Sequence, residues 1–424
     1  MAAINKNNDQ LKKTLSSATC ALLGAIPAAQ AETAEKSWTM DTSVLHYQEA
    51  DKRVQAIEPV IELKKQFREG REANVKITLD VLTGATPTGA TATNVPQTFA
   101  RPSGSGSYTV APGEIPLDDT FHDTRVALNG TWKQPLNRLT LLTLGANGSK
   151  EYDFFSLGGS ATLSREFNQK NTTLLFGLST EQDQVDPVGG VPTPLATLVP
   201  AGAAQPRLAG GDSKNLVDGL LGVTQVINRR MLMQLNYSLS LANGYMNDPY
   251  KFLSRVDRTT GATVDYVYEN RPDSRTKHAL FWLTRYHLNR DVVSASYRYF
   301  FDDWGITSHT VDVNYHWKFA EKHYLEPRFR FYSQSAADFF HVNLLSGDPL
   351  PANASADYRL SKFNGFTYGV KYGWDLPKGR ALILRLEYYT QIGESSPDTA
   401  IGIQRGMDLY PDLKATIAQV QYRF

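Results

Sequence analysis

Along most of this chain, segments of about ten residues alternate apolar and polar side chains, and the connections between them are short and long by turns. In Met231 to Leu241, for example, every second residue is Met, Leu or Tyr. Such alternation places successive side chains on opposite faces, which is the geometry of a β-strand. The number of segments is about sixteen, and an even number returns both chain ends to the same side of a membrane. The pattern predicts an all-β fold, namely a transmembrane antiparallel β-barrel of about 16 strands with short periplasmic turns and long extracellular loops.

A β-sandwich or a propeller is the main competing architecture. Either would give mixed connection lengths and one buried face of Val, Ile and Leu. In this chain aromatic residues such as Trp317, Trp374 and Tyr388 stand near strand ends, and the sequence contains 21 Tyr, 19 Phe and 6 Trp. This distribution favours aromatic girdles at the two interfaces of a membrane barrel.

The last stretch, Leu413 to Phe424, ends on an aromatic residue. Val420, Tyr422 and Phe424 fall on one face of the predicted strand, with Gln and Arg on the other. An ordinary edge strand would show the same alternation. The ending also resembles the C-terminal signature of bacterial outer-membrane barrels. That resemblance implies that Val420, Tyr422 and Phe424 form the signal that the barrel-assembly machinery reads.

Residues 1–31 have the features of a secretory leader. Two lysines precede an apolar stretch rich in small residues, and Ala29-Gln30-Ala31 has the small-x-small form of a signal-peptidase site. We predict cleavage after Ala31, which leaves residues 32–424 as an outer-membrane β-barrel. Beyond the leader, no stretch offers the roughly 18 consecutive apolar residues that a helical span needs.

Composition removes several classes of function. The only cysteine, Cys20, lies in the leader, so the mature chain cannot form disulfides, zinc-thiolate sites or covalent c-type haem links. The chain carries 44 Lys and Arg against 43 Asp and Glu, and without the leader the balance is 41 against 42. Because the chain is nearly neutral, it has no strong positive electrostatic field that would attract nucleic acid. The eight histidines are scattered without the spacing of a metal site, and we predict no metal and no cofactor.

Charged residues on the faces opposite the apolar ones predict a polar lumen. The candidates for lining it and setting its selectivity are Arg125, Arg285, Arg298, Asp312, His316, Glu326, Arg328, Arg330, Lys371, Arg385 and Glu387. The five arginines from 285 to 385 lie on strands adjacent in sequence and are expected to face acids elsewhere on the wall. Such a transverse field orients dipolar solutes. The lumen is either filled with water, which the width of such a barrel favours, or closed by salt bridges across strands.

Histidine chemistry is a further possibility. Ser308-His309 suggests an outer-membrane hydrolase, and Asp302 with Asp303 near His309 suggests an acid and histidine pair that activates water. Adjacent residues on a strand point to opposite faces, so Ser308 and His309 cannot form a direct dyad. The stretch Asp302-Asp303-Trp304-Gly305 is better explained as a turn. We therefore predict that the protein is not an enzyme.

Three stretches resemble a bacterial family that is catalogued only as a domain of unknown function. They are Tyr297 to Thr310 (Y-R-Y-F-F-D-D-W-G-I-T-S-H-T), Asp80 to Ala90 (D-V-L-T-G-A-T-P-T-G-A) and Tyr358 to Lys371. The resemblance implies an outer-membrane barrel and brings no established activity.

The chain also resembles general diffusion porins in strand count and ending. Those porins fold a long third external loop into the lumen, whereas the third external connection here is only about Gly148 to Asp153. A constriction would have to come from Gly84 to Asp118 or Asp183 to Ser213. The Pro and Gly content of these two loops predicts flexible external segments.

These patterns predict a porin-like channel of the cell outer membrane for the passive passage of small hydrophilic solutes. The expected partners are outer-membrane lipid, the barrel-assembly machinery and the solutes. An alternative is a plugged or scaffold barrel that serves as a conduit for a periplasmic or surface partner, for example an electron carrier. Since the chain has no C-x-x-C-H motif, that partner would have to bring any redox cofactor.

Overall fold

The computed structural model describes residues 38–50, 53–84, 87–102, 106–118, 121–394, 397–410 and 412–424. The predicted leader, residues 1–31, lies outside the described residues.

Sixteen antiparallel strands close into one barrel, as the sequence pattern predicted. In chain order they are β1 (Trp38–Glu49), β2 (Val54–Gln66), β3 (Glu72–Gly84), β4 (His122–Asn137), β5 (Thr140–Lys150), β6 (Phe154–Phe167), β7 (Thr172–Val185), β8 (Asp212–Asn228), β9 (Met231–Gly244), β10 (Ser274–His287), β11 (Val292–Asp302), β12 (Thr307–His316), β13 (His323–Gln334), β14 (Phe363–Asp375), β15 (Ala381–Gly393) and β16 (Leu413–Arg423). Each strand pairs with its neighbours in sequence, and closure leaves no open edge.

The barrel is closed by pairing of the first strand with the last. Val44 lies opposite Val420 in this seam, and the Phe424 amide donates to the Met40 carbonyl oxygen at 2.9 Å. An ion pair joins Arg423 Nε to Asp41 Oδ1 at 2.8 Å. The terminal stretch is therefore the closing strand of the barrel.

Alternation along the strands sets the two surfaces of the barrel. In β2, Ile57 and Ile61 are 50% and 46% exposed on the outside, whereas Glu58 and Glu62 are on the inner face. The same outward exposure recurs for Leu, Val and Phe side chains on the other strands, for example Leu221 and Phe176. Apolar side chains exposed all round a closed barrel fit hydrocarbon, so the barrel spans a membrane.

The two ends of the barrel differ in their connections. At the end opposite the long loops, which we call the turn end, every connection is short, and three are 3-10 turns: Arg68–Gly70, Asn168–Lys170 and Pro377–Gly379. The other end, the loop end, carries the long connections. The loop end also has two tight connections, residues 151–153 and 303–306.

The tight turn after β11 is stabilised by hydrogen bonds to the Asp302 side chain and by a glycine with positive φ. The Asp302 carboxylate accepts from the Trp304 and Ile306 amides at 3.1 and 2.9 Å. Gly305 has φ +81°, and a Cβ on it would meet the Asp338 carboxylate at 2.2 Å. A side chain at 305 would therefore be strained by the backbone conformation and would have to displace the Asp338 carboxylate.

Five long connections remain at the loop end, and we call their described residues the loop cap: 85–121, 186–211, 245–273, 335–362 and 394–412. Short elements inside the cap are Gln97–Ala100, Ser107–Val110, Val191–Pro192, Arg207–Leu208, Phe252–Val256, Thr263–Tyr268, Leu344–Leu345 and the 3-10 turns Tyr358–Leu360 and Gly402–Gly406. Thr263–Tyr268 pairs with Phe252–Val256 in an antiparallel ladder. No helix among the described residues is long and apolar enough to cross a membrane.

Candidate functional site

The loops of the cap pack against one another into a single body. Phe99, from the first long loop, packs on Phe252 and Tyr266 of the third, with ring centroids 5.1 and 5.0 Å apart. Leu195, from the second loop, packs on a buried group from the third and fourth that includes Leu253. The fifth loop joins through the Ile403 amide, which donates to the Thr260 carbonyl oxygen at 2.9 Å. All five loops share these contacts, so the described residues of the two loops that were expected to be flexible are packed into the cap.

The cap is anchored on side chains that face the inside of the barrel at its loop end. Three groups of contacts make this attachment: Leu117 and Phe121 on Val54, Ala56 and Leu82; Phe339 on Ala279 and Phe300; and Tyr358 and Tyr410 on Tyr332. The Tyr410 hydroxyl also accepts from Gln391 Nε2 at 2.7 Å. These anchors lie on strands at several positions around the barrel, so the cap lies in its mouth.

Six charged side chains form a buried network inside the cap. Its members are Asp248, Lys251, Glu269, Arg271, Asp357 and Arg359, three acids and three bases. Arg271 contacts Glu269 at 2.7 Å through Nε and Asp357 at 2.9 Å through Nη2. Arg359 pairs with Asp357 and, at 3.1 Å, with Asp248. The side chains of Arg271 and Asp357 are 0% exposed, and such charges are stable in an interior only when they are paired.

The network also fixes the loops to one another. Lys251 Nζ donates to the Pro87 carbonyl oxygen, which joins the third long loop to the first. Ser355 Oγ donates to Glu269 Oε2 at 2.5 Å, and Arg271 reaches Asp357, so the fourth loop is held to the third. The buried charges are thus the polar core of the cap.

Burial and pairing shift the protonation of these groups in opposite directions. Burial lowers the pKa of Lys251 to about 8, against the raising effect of Asp357 and Asp248. Burial raises the pKa of Glu269, and Arg271 offsets this only in part. Burial would also raise the pKa of Asp357, but Arg359, Lys251 and Arg271 outweigh it and hold that pKa well below its usual range. Asp357 is therefore the acid that the network holds most firmly in its charged form.

Below the cap, the structure brings several of the predicted lumen residues together. Asp312 on β12 lies 2.7 Å from Arg328 Nη2 and 2.7 Å from Arg330 Nε. Arg328 also reaches Glu387 on β15 at 2.9 Å, and Arg385 lies 4.0 Å from the same carboxylate. Two carboxylates thus share three guanidinium groups, and the five side chains come from β12, β13 and β15.

A second group lies nearer the turn end. Glu326 contacts Lys371 Nζ at 2.6 Å and His316 Nδ1 at 3.1 Å. On a different part of the wall, Arg125 pairs with Asp80 at 3.2 Å and lies 3.9 Å from Glu58. Arg285 and Arg298 are on the inner face of β10 and β11, and neither forms an ion pair among the described residues.

The expected arrangement of charges needs one correction. Arg328 and Arg330 do not only face acids elsewhere on the wall, because Asp312 and Glu387 lie among them. The reason is the register, which places Asp312 directly opposite Arg330 and Arg328 two residues along the same face. Across β10 to β15 the predicted candidates still comprise six cations and three carboxylates, so the basic character of this wall remains.

The residues considered for hydrolysis are not brought together. Ser308 is 4% exposed on the inner side, while His309 is on the outer face, where its Nδ1 lies 2.7 Å from the Tyr297 hydroxyl. Asp302 pairs with Arg275, and Asp303 accepts from the Thr276 amide at 2.9 Å. Within the part of the chain that the structure describes, no three acidic or histidine side chains form a group that could hold a metal ion.

The buried cap network is the feature that sequence reasoning missed. Its members lie in stretches without strand periodicity, where charged residues are normally solvated. The only signal was the family resemblance of the stretch that begins at Tyr358, directly after Asp357.

Several solved outer-membrane proteins are similar to this chain in structure. The ferric enterobactin receptor PfeA of Pseudomonas aeruginosa, in its R480A/Q482A mutant, has 11% identity and a TM-score of 0.44, with 85% of this chain and 54% of the receptor covered. OccK5 (OpdH) of the same organism has 9% identity and a TM-score of 0.41, with 93% and 99% covered. The siderophore receptor PirA of Acinetobacter baumannii has 8% identity and a TM-score of 0.42, with 85% and 53% covered.

The chain spans about half the length of the two receptors. No curated protein matches the sequence. A family model described as "Protein of unknown function (DUF3570)" matches residues 12–424, and this confirms the resemblance seen in the sequence. The chain is a member of this family of proteins of unknown function.

Proposed function

We propose that this protein is an outer-membrane transport barrel through which small hydrophilic solutes pass passively, with the loop cap narrowing the path at one mouth. The observation that carries the proposal is the partial exposure of charged side chains on the inner wall. Arg330, Lys371 and Arg385 are 41%, 33% and 29% exposed there. Barrels of this strand number leave a lumen that holds water, and polar walls of this kind set which solutes enter.

Swelling of liposomes that contain the purified protein tests this function. We expect swelling in an isotonic monosaccharide and much slower swelling in a trisaccharide, because the cap restricts the path by size. Liposomes with heat-denatured protein serve as the control for insertion damage. If correctly folded, inserted protein causes no swelling with any small solute, passive transport is not its function.

A plugged or scaffold barrel is the second candidate, and the buried charge network of the cap favours it. A plug held by paired charges would keep the mouth closed at rest. For this candidate, the wild-type protein should cause no swelling, and swelling should appear only when the cap is opened by a substitution in the network. Swelling caused by the wild-type protein would instead support the transport function.

We also propose that Val420, Tyr422 and Phe424 act as the assembly signal. Val420 and Phe424 are each 52% exposed, and Tyr422 packs edge-on against Phe424 at 4.6 Å. Deletion of Phe424 should lower the amount of heat-modifiable barrel in the outer membrane at least tenfold, whereas Phe424→Tyr should keep it, because the signal is an aromatic side chain at the end. Full assembly without Phe424 would contradict this role.

A further inference from the structure

Four arginines below the cap form a group with more positive than negative charge. We call this group the arginine station: Arg298, Arg328, Arg330 and Arg385 with the carboxylates of Asp312 and Glu387. Four cations share two anions, so the station carries two positive charges that its own acids do not balance. The side chains of both acids are only 7% exposed, and their oxygens are already engaged by Arg328.

Arg298 contributes most clearly to the excess of positive charge in the arginine station. It lies on the inner face of β11, where Thr310 separates it from Tyr332 on β13. Its electrostatic neighbours are Arg330, which is a cation, and the Tyr332 hydroxyl. No carboxylate forms an ion pair with it among the described residues. Its guanidinium therefore has no carboxylate partner among the described residues that a ligand would have to displace.

The carboxylates hold the station in a fixed geometry. Arg328 is bound between Asp312 and Glu387, and Asn314 Nδ2 donates to the second oxygen of Asp312 at 2.7 Å. Arg330 Nε donates a hydrogen bond to Asp312 Oδ2, and the Arg330 side chain remains 41% exposed. Guanidinium groups held in this way match the oxygens of carboxylates and phosphates, and little entropy is lost on binding.

The position of the station gives it a place on the solute path. Tyr332 is two residues beyond Arg330 on β13, toward the loop end, and packs against Tyr358 and Phe363 at the base of the cap. A solute that passes the cap reaches the arginines directly below. A charged wall of low dielectric concentrates ions of opposite sign.

We infer that the arginine station binds small oxyanions, meaning solutes that carry a carboxylate or phosphate group. The biological role of this binding rests on the proposed transport function, but the binding itself does not. The station would make oxyanions the preferred class among the small hydrophilic solutes.

Equilibrium dialysis of the purified full-length protein in uncharged detergent, with radiolabelled inorganic phosphate at low ionic strength, tests the inference. We expect saturable binding that unlabelled succinate displaces and glucose does not. Arg298→Gln should weaken phosphate binding at least tenfold. Glu387→Gln should strengthen it several-fold, because it removes a negative charge and keeps a polar partner for Arg328. Arg258→Gln, in the exposed cap pair with Asp348, should leave it unchanged.

Heat-modifiable migration of each variant checks that the barrel is folded. Absence of saturable binding by the wild-type protein, equal binding by Arg298→Gln, or no displacement by succinate would each overturn the inference. Liposome swelling decides the transport function separately. Swelling without phosphate binding would reject only the inference that the arginine station binds oxyanions. Phosphate binding without swelling would reject only the proposed transport function.

Discussion

Asp357→Ala should open the loop cap while leaving the barrel intact. Asp357 is the acid that Arg271 and Arg359 share, and its side chain is 0% exposed. Removing its carboxylate leaves the buried guanidinium groups of Arg271 and Arg359 without one of the negative charges that balance them. Breaking a buried pair in this way costs about 3–5 kcal/mol. That loss falls on the cap alone, because the barrel strands are held by their own hydrogen-bond ladder.

Limited proteolysis with thermolysin measures the opening. This protease cleaves before large apolar residues, and Leu253, Val256 and Val267 in the cap are 0% exposed. When opening is faster than cleavage, the cleavage rate follows the population of the open form. A loss of 3–5 kcal/mol corresponds to an increase of about 10²-fold to about 4 × 10³-fold in that population. Cleavage of Asp357→Ala should rise accordingly and map to residues 252–267.

Asp348→Ala is the matched control. Asp348 pairs with Arg258 in the same cap, but its side chain is 43% exposed. Exposed pairs contribute about 0–1 kcal/mol, so this variant should be cleaved at nearly the wild-type rate. Equal resistance of Asp357→Ala and wild type would mean that the buried network does not stabilise the cap.

Ile61→Arg should destabilise the barrel in lipid far more than Val60→Arg. The two residues are adjacent near the middle of β2 and lie at the same depth on opposite faces. Ile61 is 46% exposed on the outer surface, where arginine at the centre of the bilayer costs about 2–4 kcal/mol. Val60 lies on the inner face between Glu58 and Glu62, so an arginine there gains acidic neighbours and contact with water.

Urea unfolding of the barrel in lipid vesicles compares the two variants. We expect Ile61→Arg to lose about 2–4 kcal/mol of the free energy of unfolding and Val60→Arg to stay close to wild type. The comparison removes the effects of strand propensity and depth. A similar loss in both variants would show that the outer surface of β2 does not face hydrocarbon.

The strands could be predicted from sequence because the alternation of apolar and polar residues within each strand shows which side chains face outward and which face inward. In β9 the unbroken face from Met231 to Leu241 needed no knowledge of any partner strand. The turn at Asp302 to Gly305 was also readable, since Asp and Gly define it locally. The closing strand was identified from its alternation and terminal aromatic.

The cap could not be predicted because its contacts join residues far apart in sequence. Phe99 packs on Phe252, and Arg271 pairs with Asp357, with no periodicity to connect either pair. Gly and Pro content indicated loops correctly but said nothing about their packing. The lumen residues are an intermediate case. Alternation placed Arg328 and Arg330 on the inner face, and only the register of β12 with β13 put Asp312 between them.

Single-channel recording in planar bilayers, with wild type and Asp357→Ala compared at the same salt concentration, tests most directly whether a water-filled barrel is restricted by its loop cap. We expect small conductance steps from the wild type and steps at the nanosiemens scale of an open barrel from Asp357→Ala. Steps at the nanosiemens scale that are the same in both proteins would contradict a restricting cap, and silence from both inserted proteins would contradict a solute path.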